Sequence, residues 1–409
     1  MLKATVRLCL TGIFHLRSTY TYMARYPALK GQGLWLLIFF WFLWFMNFSI
    51  RTIFSPLMPL IEDEFAIRHT QAGVFFISNA LGYGIAILSS GTLAGRFGYK
   101  RAIMVSLFFL SGALFLVYYA DSFAFLCVLS LFLGLASGIY LPSVIPLITH
   151  YFEMHTWGRA IAIHDSAVSF SIFGAPFIAL FFLNYMPWRH IFIVFGIITL
   201  VNLVIFSRAA DELKISRLPR ENSLVLLRQP ALWIITLMWI FSSGANLGIY
   251  YITPLYLIKE RHLDPVYANE IFGLSRIGGI FVAIAVGFVI DRFSLKKTMF
   301  GLALTTGILT LFLAFTQGRV LEIFLFLQAA AGFGFFPVGL VAIARIFPEN
   351  LRSPATGYIV TMGVFFGLGI IPYLLGLAGD YLSFGWGIAI VGLLVIAASG
   401  LTHYLKDIA

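Results

Sequence analysis

Charged side chains are scarce in this 409-residue sequence, in which Asp, Glu, Lys and Arg together make up only 11%. Soluble proteins carry about 25% charged residues, because a surface in water needs them. Hydrophobic residues make up 60% of the chain, and soluble domains contain roughly 45–50%. A lipid bilayer is the one solvent in which such a chain needs no polar coat. The composition therefore predicts an integral membrane protein.

Cysteines, metal-ligand clusters and phosphate-binding loops are also few or absent. The two cysteines, Cys9 and Cys127, exclude a disulfide framework and a cysteine-ligated metal cluster. The eight histidines do not cluster at metal-ligand spacing, so we predict no metal and no other cofactor. The sequence has no Walker loop, no His-Glu-x-x-His motif and no nucleophile elbow. These absences argue against an ATP-driven pump and against an enzyme.

Long apolar segments account for the low charge. Each is continuous and long enough to cross a bilayer as a helix, for which about 20 residues are needed. Continuous runs exclude a β-barrel, whose strands alternate between apolar and polar residues. We predict an all-α polytopic membrane protein with twelve transmembrane helices, at about 34–58, 71–94, 102–120, 123–148, 159–183, 188–208, 231–258, 268–290, 298–317, 320–346, 355–379 and 382–405.

The basic residues orient these helices. Of the 27 Lys and Arg, 20 fall in the tails and one set of alternate loops, and five fall in the other loops. Because cytoplasmic loops are rich in Lys and Arg, we expect both termini in the cytoplasm. The net charge of +10 then reflects topology and attraction to membrane lipid rather than nucleic-acid binding. The predicted divisions are an N-terminal tail (1–32), a six-helix bundle (33–208), a cytoplasmic linker (209–230), a second six-helix bundle (231–405) and a C-terminal tail (406–409).

The N-terminal tail has five basic residues and no acidic one. Such a composition fits an amphipathic segment that lies on the membrane surface. It also fits a disordered tail, or an overlong gene model in which Met23 is the true start.

A short polar loop occurs twice in the sequence. GTLAGRFGYKRA (91–102) lies between the second and third predicted helices, and GFVIDRFSLKKT (287–298) lies 196 residues later, between the eighth and ninth. Glycine lets the ends of two helices approach closely, and the basic cluster fixes a cytoplasmic turn. We therefore predict two pseudo-symmetric bundles with conformational loops at Gly91, Arg96, Arg101, Gly287, Asp291, Arg292 and Lys297.

This organisation resembles the major facilitator superfamily, whose signature loop reads Gly-x-x-x-Asp-Arg and ends in two basic residues. The second copy keeps the Asp, as Asp291, whereas the first copy has Gly95 there. Segments at 47–65, 134–152, 158–177 and 187–192 are similar to the anion:cation symporter branch, which carries organic anions such as hexuronates. That branch commonly has an acidic residue where this chain has Ile50 and Ser137. The resemblance implies a secondary active transporter in which Arg51 contacts the substrate anion.

Two arginines lie deep within the predicted helices. Arg51 is seven residues, or about 10 Å at ~1.5 Å per residue, from the outer end of the first helix, and Arg276 lies equally deep in the eighth. In the family the cavity lies between the halves, where two guanidiniums would hold a carboxylate or phosphate in bidentate fashion. The alternative is that each arginine caps backbone carbonyls or snorkels outward. The predicted substrate-binding residues are Arg51, Arg276, Asn47, Tyr140, Asn246 and Tyr250.

His164 and Asp165 are the other ionisable residues well inside a predicted helix. Consecutive residues point about 100° apart on a helix, so these two side chains serve different faces. Asp165 is the one carboxylate at that depth, and we expect it to be buried. Either residue is a candidate proton carrier for coupled transport. The alternative is a structural hydrogen bond to a neighbouring helix.

These features together predict a monomeric, multi-pass transporter of the cytoplasmic (inner) membrane. We expect it to move a small organic anion by alternating access, coupled to protons or by exchange. The aromatic content of 17% leaves efflux of amphipathic drug-like or lipid compounds as an alternative. A non-transporting sensor would need a soluble signalling domain, for which the tail and the linker are too short.

Overall fold

The computed structural model describes Tyr26, residues 29–213 and residues 223–405. The side chains at 223–224, 283–284 and 291 and the surroundings of Gly287 are not described. The predicted tails (1–32 and 406–409) and linker (209–230) therefore lie wholly or partly outside the described residues. The side chain of Asp291 also lies outside them.

The regular elements of the described residues are helices, apart from one bridge between Tyr26 and Phe152. Eleven of these helices are long and apolar enough to cross a membrane. They are α1 (Gly31–Phe65), α2 (His69–Phe97), α3 (Tyr99–Tyr118), α4 (Phe123–Tyr151), α5 (Met154–Leu183), α6 (Trp188–Ala209), α7 (Pro230–Glu260), α9 (Leu295–Phe315), α10 (Gly318–Ile346), α11 (Glu349–Tyr381) and α12 (Phe384–Tyr404). The all-helical prediction is confirmed.

The eighth predicted crossing is a broken helix. We label it α8, and it consists of Pro265–Ser275 and Ile277–Arg292, with Arg276 between them. Its two parts have 11 and 16 residues, each fewer than the about 20 that a crossing needs. The count of twelve crossings and the cytoplasmic position of both termini therefore stay predictions.

Prolines explain where α1 and α4 are interrupted. A proline has no N–H, and its ring clashes with the carbonyl four residues earlier. The first segment of α1 ends at Thr52, four residues before Pro56. The first segment of α4 ends at Gly138, four residues before Pro142. Further irregularities are the π-helical segments of α7 and α11, at Gly244–Gly248, Tyr256–Glu260 and Gly363–Ile370.

The same helix pairs recur in the two halves of the chain. In the N-terminal half (29–213), α1 packs on α5, α2 on α4 and α3 on α6. In the C-terminal half (223–405), α7 packs on α11, α8 on α10 and α9 on α12, which are the same pairs six helices later. The α2–α4 crossing is tight, because a Cβ on Gly82 or on Gly134 would lie 2.1 Å from a carbonyl oxygen of the other helix.

The two halves meet through α1 and α7, α2 and α11, and α5 and α8. The closest approach is at the start of α2. A Cβ on Gly73 would lie 2.5 Å from the Cα of Tyr373, and one on Gly376 would lie 2.3 Å from the carbonyl oxygen of His69. We call this side of the molecule, which contains the connection between α1 and α2 (66–68), the first-loop end.

Gly98, rather than Gly91, makes the close approach in the first conformational loop. Gly98 has a left-handed φ of 88°, and a carboxylate oxygen of Glu212 lies 2.0 Å from where its Cβ would be. Within the described residues, nothing from another segment lies within 4 Å of a Cβ built on Gly91. The expected close approach at Gly91 is therefore wrong. Arg101 Nε lies 3.7 Å from Glu212 Oε2, whereas three other predicted loop residues are simply exposed: Arg96, Arg292 and Lys297.

The α2–α4 contact makes a testable prediction about stability. Gly82→Ala places a methyl group against the Leu131 carbonyl, and overpacking of this kind costs about 1–3 kcal/mol. Gly91→Ala, on the same helix, adds a methyl group in open space and gains roughly 0.5–1 kcal/mol of helix stability. Thermal unfolding in detergent, followed by tryptophan fluorescence, should give a lower Tm for the first variant and an equal or higher Tm for the second. Equal Tm values for the two variants would contradict the tight crossing.

Candidate functional site

Arg51 lies at the interruption of α1, and its side chain is buried, with 4% exposure. Its Cζ is 3.9 Å from the ring centroid of Tyr83 on α2 and 5.0 Å from that of Phe48. Its charge also acts on the hydroxyl of Tyr251 on α7. Among the described residues, its Nε and Nη1 have no hydrogen-bond partner. The aromatic faces attract the cation and leave N–H donors free.

Arg276 lies at the break in α8, where the backbone tightens. Arg276 N donates to the Gly273 carbonyl at 3.0 Å, and Gly279 N donates to the Arg276 carbonyl at 3.2 Å. The side chain is 1% exposed. Its Cζ lies 5.1 Å from the ring centroid of Tyr250 and 5.0 Å from that of Phe272. In the described part of the chain, none of its three guanidinium nitrogens has a hydrogen-bond partner.

Two consecutive tyrosines of α7 connect the surroundings of the two arginines. The rings of Tyr250 and Tyr251 are 5.9 Å apart, and one faces each arginine. Tyr251 stacks at 4.5 Å on Phe76 of α2, and Ser55 of α1 donates to the Tyr250 carbonyl at 2.8 Å. Residues of both halves therefore meet in what we call the arginine–tyrosine cluster: Arg51, Tyr83, Tyr250, Tyr251 and Arg276.

Among the described residues, no acidic side chain forms a salt bridge with either arginine of this cluster. A buried cation without a partner is costly, because water no longer solvates it. A carboxylate or phosphate matches the fork of N–H groups that a guanidinium presents. The cluster is therefore suited to bind an anion.

Two asparagines also retain unpaired polar atoms. Asn246 is 1% exposed, lies one helical turn before Tyr250, and has no hydrogen-bond partner for either amide atom within the described residues. Asn47 donates from Nδ2 to the Ser137 carbonyl at 3.2 Å, while its Oδ1 has no described partner. Both predicted residues therefore have hydrogen-bonding capacity left for a ligand.

The hydroxyls of the two predicted tyrosines are already engaged. The Tyr140 hydroxyl donates to the Phe40 carbonyl at 2.9 Å, which ties α4 to α1. The Tyr250 hydroxyl donates to the Ile172 carbonyl at 3.3 Å, which ties α7 to α5. Tyr250 nevertheless faces Arg276 with its ring, whereas Tyr140 stacks on Trp44 at 5.5 Å. Tyr140 therefore holds helices together in this structure.

His164 and Asp165 are neighbours on α5 and have different surroundings. His164 is buried, its ring stacks on Trp44 at 5.9 Å, and its Nε2 lies 3.4 Å from the Tyr140 hydroxyl. Asp165 retains accessible surface, although protein atoms surround most of its carboxylate, and its charge acts on Tyr83 of the arginine–tyrosine cluster. The Trp44 indole donates to Asp165 Oδ1 at 3.3 Å, so one tryptophan contacts both candidate proton carriers.

Sequence reasoning missed the polar contacts of the first-loop end. Asp63 of α1 forms an ion pair with Lys259 of α7, across the two halves. Glu64 Oε1 accepts a hydrogen bond from Arg189 Nη2 at 2.7 Å, within the N-terminal half. In the sequence, Lys259 and Arg189 count only among the five basic residues of the less basic set of loops. The available signal was the run of three acidic residues at 62–64, in a chain with only 17 Asp and Glu.

Known proteins resemble this chain over most of its length. A protein of Bacillus subtilis (strain 168) named probable galactarate/D-glucarate transporter is 22% identical over 424 residues, covering 91% of this chain and 92% of that protein. The 3-(3-hydroxy-phenyl)propionate transporter of Escherichia coli (strain K12) is 26% identical over 357 residues, covering 83% and 84%. The hexuronate transporter of Bacillus subtilis is 22% identical over 275 residues, covering 62% and 63%.

The fold has solved counterparts. The crystal structure of a D-xylose-proton symporter superposes with a TM-score of 0.76 at 15% identity, covering 93% of this chain and 98% of the other. The model of the Major Facilitator Superfamily matches residues 40–317 and 271–407. The relatives named above are transporters rather than enzymes. The resemblance seen in the sequence is thus confirmed: this membrane-spanning chain belongs to the Major Facilitator Superfamily.

Proposed function

We propose that the protein is a secondary active transporter that moves a small organic anion across the membrane by alternating access. The observation that carries the proposal is the pair of buried guanidiniums, one from each half, with unpaired N–H donors and no acidic partner among the described residues. An anion bound between Arg51 and Arg276 would contact both halves. Its binding energy would then bias how the halves meet, which is the requirement for alternating access.

The chemistry of the named relatives supports this substrate class. Hexuronates, galactarate, D-glucarate and 3-(3-hydroxyphenyl)propionate all carry a carboxylate, and those proteins are named for transporting them. In our proposal Arg51 and Arg276 bind the carboxylate of the substrate. Asn246 and Asn47 bind its hydroxyl groups, and Tyr250 shapes the wall of the site.

The proposal includes the topology predicted from the sequence. It consists of two six-helix bundles joined by the linker at 209–230, both termini in the cytoplasm and a monomer in the inner membrane. In this scheme α8 also crosses the membrane, which brings the number of crossings to twelve. A broken helix is tolerated at membrane depth where it lines a cavity. The loops at 91–102 and 287–298 move when the halves rock.

Efflux of amphipathic compounds is the weaker candidate. It would require the arginines to face away from the interior, whereas both are buried between the halves. An apolar groove of about 600 Å³ lies between α11 and α12, lined by side chains such as Leu374 and Leu394, and it includes no residue of the arginine–tyrosine cluster. Leu374 is 51% exposed, as expected for a surface that faces lipid.

Proton coupling is proposed to run through Asp165 or His164. Asp165 is accessible, and the indole of Trp44 holds it by one hydrogen bond. His164 stacks on the same indole. Trp44 lies two helical turns before Arg51 on α1. A change of charge at Asp165 or His164 would therefore act on the same helix that carries Arg51.

The arginines make the first prediction of this proposal. In proteoliposomes that contain the wild type, uptake of radiolabelled D-glucuronate, D-glucarate or 3-(3-hydroxyphenyl)propionate should be measurable. Truncating one partner of a buried, hydrogen-bonded charge pair costs about 2–5 kcal/mol, so Arg51→Ala and Arg276→Ala should each weaken apparent affinity at least about 30-fold. Arg276→Lys keeps the charge but loses the bidentate fork, so its apparent affinity should lie between that of the wild type and that of Arg276→Ala.

The matched control is Arg319→Ala, which removes an exposed arginine outside the cluster and should leave uptake unchanged. Undiminished uptake by Arg276→Ala would remove that arginine from the substrate site. Equal losses in Arg319→Ala and Arg276→Ala would indicate a general effect of charge rather than anion binding.

The second prediction concerns the coupling ion. With Asp165→Asn, uptake driven by a pH gradient should fall to the level without a gradient, because the amide cannot carry a proton. Exchange of labelled for unlabelled substrate should persist. Asp121→Asn, on an exposed connection, is the control and should retain both activities. If Asp165→Asn still concentrates substrate with the pH gradient, Asp165 is not the proton carrier and His164 is the remaining candidate. The same measurement on His164→Gln then tests His164.

A further inference from the structure

A buried carboxylate and a histidine face each other at the first-loop end, away from the arginine–tyrosine cluster. The Glu62 side chain is 3% exposed, and that of His69 is 24% exposed. His69 Nδ1 lies 3.0 Å from Glu62 Oε1 and 2.9 Å from Oε2. We propose that Glu62 and His69 form a proton-binding site that controls closure of the first-loop end. This site is independent of the substrate proposed above.

The pair lies where the other half is attached. Asp380 of α11 accepts hydrogen bonds from His69 N at 3.1 Å, from Thr70 N at 2.8 Å and from the Thr70 hydroxyl at 2.5 Å. A carboxylate at this position caps the N-terminus of α2, where unpaired N–H groups and the helix dipole favour negative charge. The cap comes from the opposite half, so it breaks whenever this end opens.

The remaining contacts of His69 also cross between the halves. Its ring lies 4.7 Å from that of Phe384 at the start of α12. Glu260 of α7 accepts hydrogen bonds from the backbone N–H groups of Phe384 and Gly385, so its carboxylate is occupied in capping α12. Protonation of His69 therefore acts at the point where α2, α11 and α12 converge.

The charges that face Glu62 and His69 decide whether protonation favours the closed or the open first-loop end. Lys259 of α7 and Asp380 of α11 act on both Glu62 and His69, and Lys259 is paired with Asp63. With His69 neutral, three carboxylates share one ammonium. A proton on His69 supplies a second cation and converts its contact with Glu62 into an ion pair. Like charges repel most strongly when water is excluded, so protonation favours the closed end.

Closure and proton binding are then linked in both directions. If a proton stabilises the closed arrangement, closing the first-loop end must strengthen proton binding by the same factor. Opening this end exposes Glu62 and His69 to water and separates His69 from Asp380. The site thus takes up a proton when the end closes and releases it when the end opens.

The test measures the separation of the halves directly and needs no substrate. Both native cysteines are replaced by Ser, and spin labels are attached to Tyr185→Cys and Leu382→Cys, which are 74% and 71% exposed in the α5–α6 and α11–α12 connections. Distance distributions are recorded in nanodiscs at about pH 5 and about pH 8, on either side of the ordinary pKa of histidine near 6.5. We expect the ratio of closed to open populations to rise at least about fivefold at the lower pH.

His69→Gln should abolish this response, and Glu62→Gln, which keeps the shape of the side chain, should do the same. The matched control is His190→Gln. His190 also lies at this end, but its ring contacts Tyr118 within its own half at 5.1 Å, so the pH response should persist. An unchanged distribution in the wild type, or a full response in His69→Gln, would overturn the proposal. Loss of the response in His190→Gln alone would overturn it as well.

Discussion

Two guanidiniums buried between the halves, without an acidic partner among the described residues, are the constraint on which the rest of the structure depends. A bare cation in a water-poor interior is costly, so it persists only where the surroundings hold it. Here aromatic rings provide that support, from Tyr83 for Arg51 and from Tyr250 and Phe272 for Arg276. These rings attract the cations without neutralising them. Both guanidiniums therefore keep their charge and N–H donors for an anion.

The helix irregularities and the repeated architecture place this site between moving parts. Arg51 lies beside the proline-induced interruption of α1, and Arg276 lies at the break of α8. The same helix pairs recur in both halves, and each half contributes one of the two arginines. Polar contacts between the halves are concentrated at the first-loop end. There Asp380 caps the N-terminus of α2 and Lys259 pairs with Asp63. The structure thus separates the arginine–tyrosine cluster from the polar contacts that close one end.

The sequence predicted the long helices and the positions of Arg51 and Arg276 within them. Long apolar runs, and isolated charges inside such runs, can be recognised without a structure. It did not predict the break at Arg276, since no proline follows within the next turn and the cause is a local tightening of the backbone. The importance of Gly98 follows from its φ and from the carboxylate of Glu212, 114 positions away. The role of Asp380 depends on a contact between residues 310 positions apart. Likewise, only the packing shows that the Tyr140 hydroxyl is engaged and that Asp165 accepts a hydrogen bond from Trp44.

The central claim is that Arg51 and Arg276 bind the same anion. A double-mutant cycle tests it directly: equilibrium binding of D-glucarate, or of whichever organic acid the wild type transports, is measured for the wild type, Arg51→Ala, Arg276→Ala and the double variant. If both guanidiniums contact one ligand, the two losses are strongly non-additive, with a coupling energy of about 0.5–3 kcal/mol. Losses that simply add, or a single variant that binds as tightly as the wild type, would contradict the account.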